Sequence, residues 1–331
     1  MKTAITGDHA PEEILRVTAR YPALINDYYR ELAKTAGAPI ARQVMPDPAE
    51  LSIGNEELPE DPVGEERYSP VPNLTHRYLD RVLFLVSDSC PIYCRFCTRK
   101  RKVGRSLEVT DKSVRDGMNY IRKHPEIRDV LLSGGDPLML ENERLDWILS
   151  EIQDIPHVEI VRIGTRVPAA FPERVSHDLA ALLSGYSPLY VHTHFNHPAE
   201  ATERARKACG ILADAGIPLG NQTVLLRGIN DDPDILEKLF RELLLMRVRP
   251  YYLFQLDAVR GTRHFCTPLM TGVRIMDELR RRTSPMTLPA FVVDLPHGMG
   301  KAFPAFPSIL SPGTAEQAII TPEGRIVPYP D

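Results

Sequence analysis

The chain has 331 residues, 43% of them hydrophobic and 25% charged, so it can bury a sizeable core without cross-links. A net charge of −4 excludes a global pull toward nucleic acid or anionic lipid. No apolar run reaches membrane-spanning length, and the start MKTAITGDHAPEEIL carries no apolar leader, so a cytoplasmic protein is expected.

Residues 11–38 carry helical spacing in Ile14, Val17, Tyr21, Leu24, Ile25 and Tyr28. Residues 40–75 are rich in Pro, Asp and Glu and read as an irregular strap. A rhythm then begins. Short apolar, β-branched runs at 81–88, 129–135, 158–165, 189–195, 219–226 and 250–257 alternate with helical segments. Polar residues gather at the ends of these runs: Ser87–Cys90, Ser133–Asp136, Thr165–Arg166, His192–Asn196 and Asp257. Such alternation implies a parallel sheet with right-handed crossovers, and parallel α/β sheets bind ligands at the C-terminal ends of their strands. The expected fold is α/β: a partial (βα)6 barrel over 76–285, open on one side. An N-terminal helical and irregular extension (1–75) and a C-terminal tail of short extended pieces (286–331) complete it.

Just after the first of these strands stands SCPIYCRFCTRKRKVG, with Cys90, Cys94 and Cys97 spaced C-x3-C-x2-C. Three thiolates can hold a [4Fe–4S] cluster and leave one iron open to a ligand. Zinc with a distant fourth ligand, or plain buried cysteines, would also use three. Arg95, Arg99, Lys100 and Arg101 should lower the thiol pKa values, although a basic run is also a common solvated face. Cys209 and Cys266 fall in a helical run and a loop, and read as packing residues.

The cysteine loop resembles that of the radical S-adenosylmethionine (SAM) superfamily, and LLSGGDPL at 131–138 resembles its Gly-Gly-acidic segment after the second strand. The resemblance implies a [4Fe–4S] cluster on the three cysteines and SAM on the open iron. Gly134, Gly135 and Asp136 would face the SAM amino group. Three longer stretches, 75–101, 208–231 and 247–301, are similar to the lysine 2,3-aminomutase family within that superfamily. This adds pyridoxal phosphate (PLP), with Lys301 as its attachment point and Arg77, Tyr78 and Arg81 around its phosphate. Arg99 would receive the substrate carboxylate. Asp257 and Asp294 would together receive a distal ammonium, an acidic pair that glutamate-specific relatives do not keep. His194 and Gln222 would lie near SAM and the PLP ring, with Thr165 and Arg166 as further candidates. The implied activity is transfer of the α-amino group of L-lysine to C3. The implied partners are a small amino acid, an electron donor such as flavodoxin or ferredoxin, and further copies of the chain in a homo-oligomer.

Some positions depart from the family pattern. Phe96 and Phe254 replace more polar residues, and His297 and Met299 should add bulk close to PLP. Asp232 stands where long relatives carry a zinc-site cysteine, and their cysteine-bearing C-terminal extension is missing, so no structural zinc is expected. These departures keep open arginine or ornithine as substrate, or another radical SAM reaction on the same scaffold. A non-catalytic iron–sulfur or zinc protein is the reading from outside this class.

Overall fold

The structure, a computed structural model, is described for residues 10–52, 54–105, 108–306, 309–310, 317–320 and 325–329. It opens with helices α1 (Pro11–Arg20), α2 (Asp27–Ala36) and the one-turn α3 (Ala38–Ala41). The helical spacing over 11–38 is therefore interrupted. Pro22 follows the capping Tyr21 at the end of α1 and has no N–H to continue its ladder. The chain restarts where the Asn26 side chain caps α2 by accepting from the Tyr29 N–H at 2.8 Å. The Asn26 amide also donates to the Ala170 carbonyl at 2.8 Å, which fastens α2 to the barrel.

Nine strands follow in one sheet, ordered as in the sequence. β1 (Leu74–Tyr78) is antiparallel to β2 (Arg81–Ser87). Then β2, β3 (Asp129–Gly134), β4 (Ile160–Gly164), β5 (Leu189–Thr193), β6 (Leu219–Leu225), β7 (Arg249–Gln255) and β8 (Ala290–Asp294) run parallel, each beside the next. The short β9 (Lys301–Ala302) turns back antiparallel on β8. Every strand expected from the sequence is present, and the tail contributes β8 as a further parallel strand. A small antiparallel sheet of β10 (Ile309–Leu310), β11 (Gln317–Ile320) and β12 (Ile326–Tyr329) ends the described chain.

Helices α4 (Asp111–Arg122), α5 (Asn142–Gln153), α6 (Val167–Ala170), α7 (His177–Ser184), α8 (Glu203–Asp214), α9 (Pro233–Leu245) and α10 (Leu269–Arg282) cross between the parallel strands. Their starts are chemically marked. Thr110, Ser176, Thr202 and Asp232 each accept a backbone N–H of the first turn they precede. Asp232 thus serves as the cap of α9. One face of each strand packs on the helices: Phe84, Leu132, Ile163, Val191 and Leu253 are fully buried in a single core with Met118, Ile148, Leu179, Leu212 and Leu239. Cys209 of α8 sits in the same core. The curled sheet stays open, because β1 and β9 do not pair with each other.

Candidate active site

The inner face of the curled sheet bounds a cavity of about 630 Å³, a size suited to small ligands. Cys90, Cys94, Cys97, Gly134, Gly135, Asp136, His194, Gln222, Arg77, Tyr78, Arg81, Arg99, Asp257, Asp294 and Lys301 all line it. Residues far apart in the chain thereby share one space, as the hydrogen bond between Arg77 and Asp294, 217 positions apart, shows.

The cysteine loop is seated by its neighbours. Gly135 N donates to Ser87 O at 2.6 Å and Asp136 N to Ser89 O at 2.7 Å. A Cβ on Gly134 would stand 2.2 Å from Ser87 O, and one on Gly135 would stand 2.3 Å from Ser89 O. Only glycine permits that approach, and it sets the stretch that leads into Cys90. On the other side, Arg95 N donates to Gln43 O at 2.8 Å and Tyr93 N to Leu24 O at 2.9 Å, tying the loop to the N-terminal segment. Among the described residues, no His, Cys, Asp or Glu side chains converge in threes as ligands of a single ion. A four-iron cluster spreads its thiolates over the corners of a cube, and three cysteines along one cavity suit that donor set.

The basic run lowers the thiol pKa values as expected, through Arg99 at Cys90 and through Arg99 and Lys100 at Cys97, but burial outweighs it. Burial pushes the Cys90 thiol far up and the Cys97 thiol to about 11, with neighbouring thiols adding to both. The cations of the run have partners of their own. Arg95 and Lys100 both bind the buried Glu50 carboxylate, each at 2.6 Å. Arg99 and Arg101 bind Glu65. The guanidinium in direct contact with a thiol is that of Arg166, whose Nη1 lies 2.7 Å from Cys94 Sγ. That guanidinium is buried and held by Gln43, Tyr29 and Glu200 at 2.6–2.9 Å.

The Asp136 carboxylate is buried and already accepts from the Thr165 hydroxyl at 2.7 Å, Arg166 N at 2.6 Å and Leu138 N at 3.1 Å. It braces the ends of β3 and β4 against each other. Some cavity-lining side chains carry unused polar atoms. His192 Nδ1, His194 Nε2 and Gln255 Oε1 are buried without a partner among the described residues, and each belongs to a cavity-lining side chain. Burial drives His192 to about 4 and His194 to about 3, with Arg162 and Arg166 respectively adding to the effect, so both imidazoles are neutral. A buried polar atom left unpaired costs free energy, which makes these side chains candidates to bond a ligand.

At the β8–β9 end, Lys301 Nζ donates to Asp294 Oδ2 at 2.6 Å, and Arg77 Nη2 donates to Asp294 Oδ1 at 3.0 Å. Arg77 also reaches the Tyr78 hydroxyl at 3.0 Å, and Arg81 lies 3.9 Å over the Tyr78 ring. Among the described residues, the Asp257 carboxylate is hydrogen-bonded only by the Thr98 hydroxyl, at 3.2 Å. Burial and then the nearby Asp294 charge push the Asp257 carboxyl up to about 7. Lys301 and Arg77 oppose this rise from a distance, but among the described residues both are bonded to Asp294 and no cation is bonded to Asp257.

Of the departures noted in the sequence, Phe96 stacks on His194 with ring centroids 5.7 Å apart, and Phe254 lies 4.7 Å beneath the Lys301 ammonium. His297 and Met299 do not add bulk here. Both side chains are exposed and neither lines the cavity. Sequence reasoning missed Glu65, Arg162 and Gln255, and named His192 only as part of a polar strand end. Glu65 had one available signal: four consecutive cations at 99–102 need counter-charges somewhere in the chain.

An open parallel barrel, with C-x3-C-x2-C after its first parallel strand and a Gly-Gly segment after the next, defines the class of radical SAM enzymes. The family model described as the radical SAM superfamily matches residues 84–239. Over 313 residues the chain is 45% identical to L-lysine 2,3-aminomutase of Clostridium subterminale, covering 92% of this chain and 74% of that one. It is 45% identical over 322 residues to L-lysine 2,3-aminomutase of Methanococcus maripaludis (96% and 74% covered). Glutamate 2,3-aminomutase of Clostridioides difficile follows at 41% over 322 residues (97% and 76% covered). The chain belongs to the lysine 2,3-aminomutase family of radical SAM enzymes and is an aminomutase acting on a small amino acid. Membership implies a [4Fe–4S] cluster, SAM and PLP as its cofactors.

Proposed function

We propose that this enzyme moves the α-amino group of L-lysine to C3, giving β-lysine. Overall identity separates the lysine and glutamate relatives too little to decide, so the cavity has to. The observation that carries the reading is the Asp257–Asp294 pair. Two buried carboxylates repel unless a cation joins them, and Asp257 is the one with no cation bonded to it among the described residues. A distal ammonium supplies it. A glutamate side chain would bring a third carboxylate into the same space.

In this reading Cys90, Cys94 and Cys97 hold the cluster, and the backbone of Gly134–Asp136 holds SAM together with His194 and Gln222. The Asp136 carboxylate is already engaged, so its part is to brace the segment. Arg77, Tyr78 and Arg81 surround the PLP phosphate, and Lys301 is the attachment amine. When bound, the cluster and SAM supply hydrogen-atom abstraction, and PLP carries the migrating nitrogen. The protein's part is placement. Arg99 orients the substrate carboxylate and Asp257 with Asp294 receive the ammonium, which together fix where C2 and C3 lie. The neutral His192 and His194 add hydrogen bonds without charge, and the apolar walls exclude water.

The same reading makes the enzyme a cytoplasmic homo-oligomer that draws its electron from a flavodoxin- or ferredoxin-like donor. Among the described residues, no helix is long and apolar enough to cross a membrane. Leu79, Met299 and Phe303 are exposed at 78%, 67% and 59% and offer apolar surface to a second copy. The test is anaerobic incubation of reduced enzyme, SAM and PLP with lysine, ornithine, arginine and glutamate, read by mass spectrometry. Lysine should give β-lysine and glutamate should stay unchanged. A preference for ornithine or arginine would move the assignment within dibasic amino acids. A preference for glutamate would overturn it.

A further inference from the structure

We infer that Glu65 is a positioning residue for substrate: it grips Arg99 along one edge so that the other edge of the guanidinium faces the cavity. The inference rests on the reading of Arg99 as the residue that binds the substrate carboxylate.

The contact is two-pronged. Arg99 Nε donates to Glu65 Oε2 at 3.1 Å and Nη2 donates to Oε1 at 2.6 Å. Both side chains are nearly buried, at 17% and 7% exposure. A guanidinium carries five N–H groups in a rigid fork. Glu65 uses the Nε hydrogen and one on Nη2, and Arg99 makes no other side-chain hydrogen bond among the described residues. What remains is the Nη1/Nη2 edge, itself a bidentate site for a carboxylate.

Glu65 is in turn held from several sides. Its backbone N–H donates to Asp61 Oδ1 at 3.0 Å. Arg101 Nη2 lies 3.3 Å from its carboxylate. The strap around it is laced to the rest of the site: His297 N donates to Pro62 O and Arg260 N to Pro59 O, both at 3.0 Å. The Gly261 and Arg263 N–H groups donate to Asn55 Oδ1 at 3.1 and 3.0 Å. The grip on Arg99 thus comes from a backbone fixed to the loop after β7 and to the loop before Lys301.

There is an electrostatic reason for such a grip. Arg99 shares the cavity with Asp257 and Asp294. Thr98, the residue before it, is hydrogen-bonded to Asp257. An unrestrained guanidinium would pair with Asp257 and neutralise the two ends of the substrate site against each other. Glu65 holds the cation away, as Arg77 and Lys301 hold Asp294. Dibasic and carboxylate recognition then stay separate until substrate bridges them.

The test compares L-lysine with 1,5-diaminopentane, which is lysine without its carboxylate. Affinity of each for the cofactor-loaded enzyme is measured anaerobically by calorimetry in wild type, Glu65→Gln and Arg99→Ala. Arg99→Ala should abolish the preference for lysine over the diamine. Glu65→Gln should weaken lysine at least about tenfold, the loss of one well-placed charge-assisted bond, and leave the diamine unchanged. Its KM for lysine should rise more than its kcat falls. The double variant should lose no more than Arg99→Ala alone, since both act through one clamp. Glu65→Asp keeps the charge but cannot span both nitrogens, so it should fall in between; it carries the same comparison if Glu65→Gln does not fold. Unchanged or tighter lysine binding in Glu65→Gln overturns the inference, and so does equal weakening of lysine and diamine. If Arg99→Ala keeps the lysine preference, the reading of Arg99 itself fails.

Discussion

Lys301 and Asp257 carry the sharpest residue-scale predictions. Lys301→Ala should retain no PLP after borohydride reduction, as read by protein mass, while its iron content and SAM binding stay at wild-type levels. Retained covalent PLP would move the attachment point elsewhere. Asp257 predicts a pH dependence. Its carboxyl is raised to about 7 from an ordinary 3.8 by burial and by Asp294. The folded enzyme therefore holds a proton there that the unfolded chain has lost. Its contribution to stability falls as pH rises through that window, because the unfolded state binds fewer protons. Substrate reverses the preference, since an ammonium favours the ionised form. Below pH about 7, apparent lysine affinity should drop about tenfold per pH unit. Binding at pH 6 should release a proton, countable by calorimetry in buffers of different ionisation heat. Asp257→Asn should bind lysine weakly and release none from this position.

At the scale of elements, the cysteine loop depends on the glycine pair at the end of β3. Gly135→Ala would bring a Cβ within 2.3 Å of Ser89 O, a backbone atom that cannot swing aside. The loop must shift, and the variant should assemble less cluster per chain, measured as iron and sulfide, while far-UV circular dichroism shows the barrel intact. Full iron content in Gly135→Ala would separate the Gly-Gly segment from cluster seating. This element is also where sequence and structure agree best. The parallel strands are legible because each is a short β-branched run with a polar residue at its end, and adjacency in the sequence becomes adjacency in the sheet. The charges of the loop are less legible. RKRK at 99–102 reads as a source of positive potential, yet its counter-charges Glu50, Glu65 and Glu66 lie 34 to 50 residues earlier. Their stretch has no helical or strand period to mark which side chains point inward. The break after α1 is legible in hindsight, because Pro22 and the capping Asn26 both stand in the sequence. Asp294 and Lys301 come together because β9 folds back on β8, a pairing of two-residue extent that composition does not reveal.

Across the whole molecule, the N-terminal segment acts as the outer wall of the site. Glu50 is its anchor: fully buried, it binds Arg95 Nε at 2.9 Å and Nη2 at 2.6 Å, and Lys100 Nζ at 2.6 Å. Burial alone would raise its carboxyl, but Lys100 and Arg95 outweigh that and hold it below the ordinary range. Glu50→Ala strands two buried cations and should cost about 3–5 kcal/mol in denaturant unfolding, far more than Glu50→Gln. Loss of under ~1 kcal/mol would mean the strap is not coupled to the cysteine loop through this carboxylate. The wall, the cysteine loop and the β8–β9 turn meet around one cavity, and the account stands on what that cavity does to an amino acid. The most direct measurement is anaerobic turnover of L-lysine carrying nitrogen-15 only on its α-nitrogen, followed by NMR. The account predicts β-lysine with the label on C3 and none released as ammonium. Label remaining on C2, or exchanged with ammonium in the medium, would contradict it.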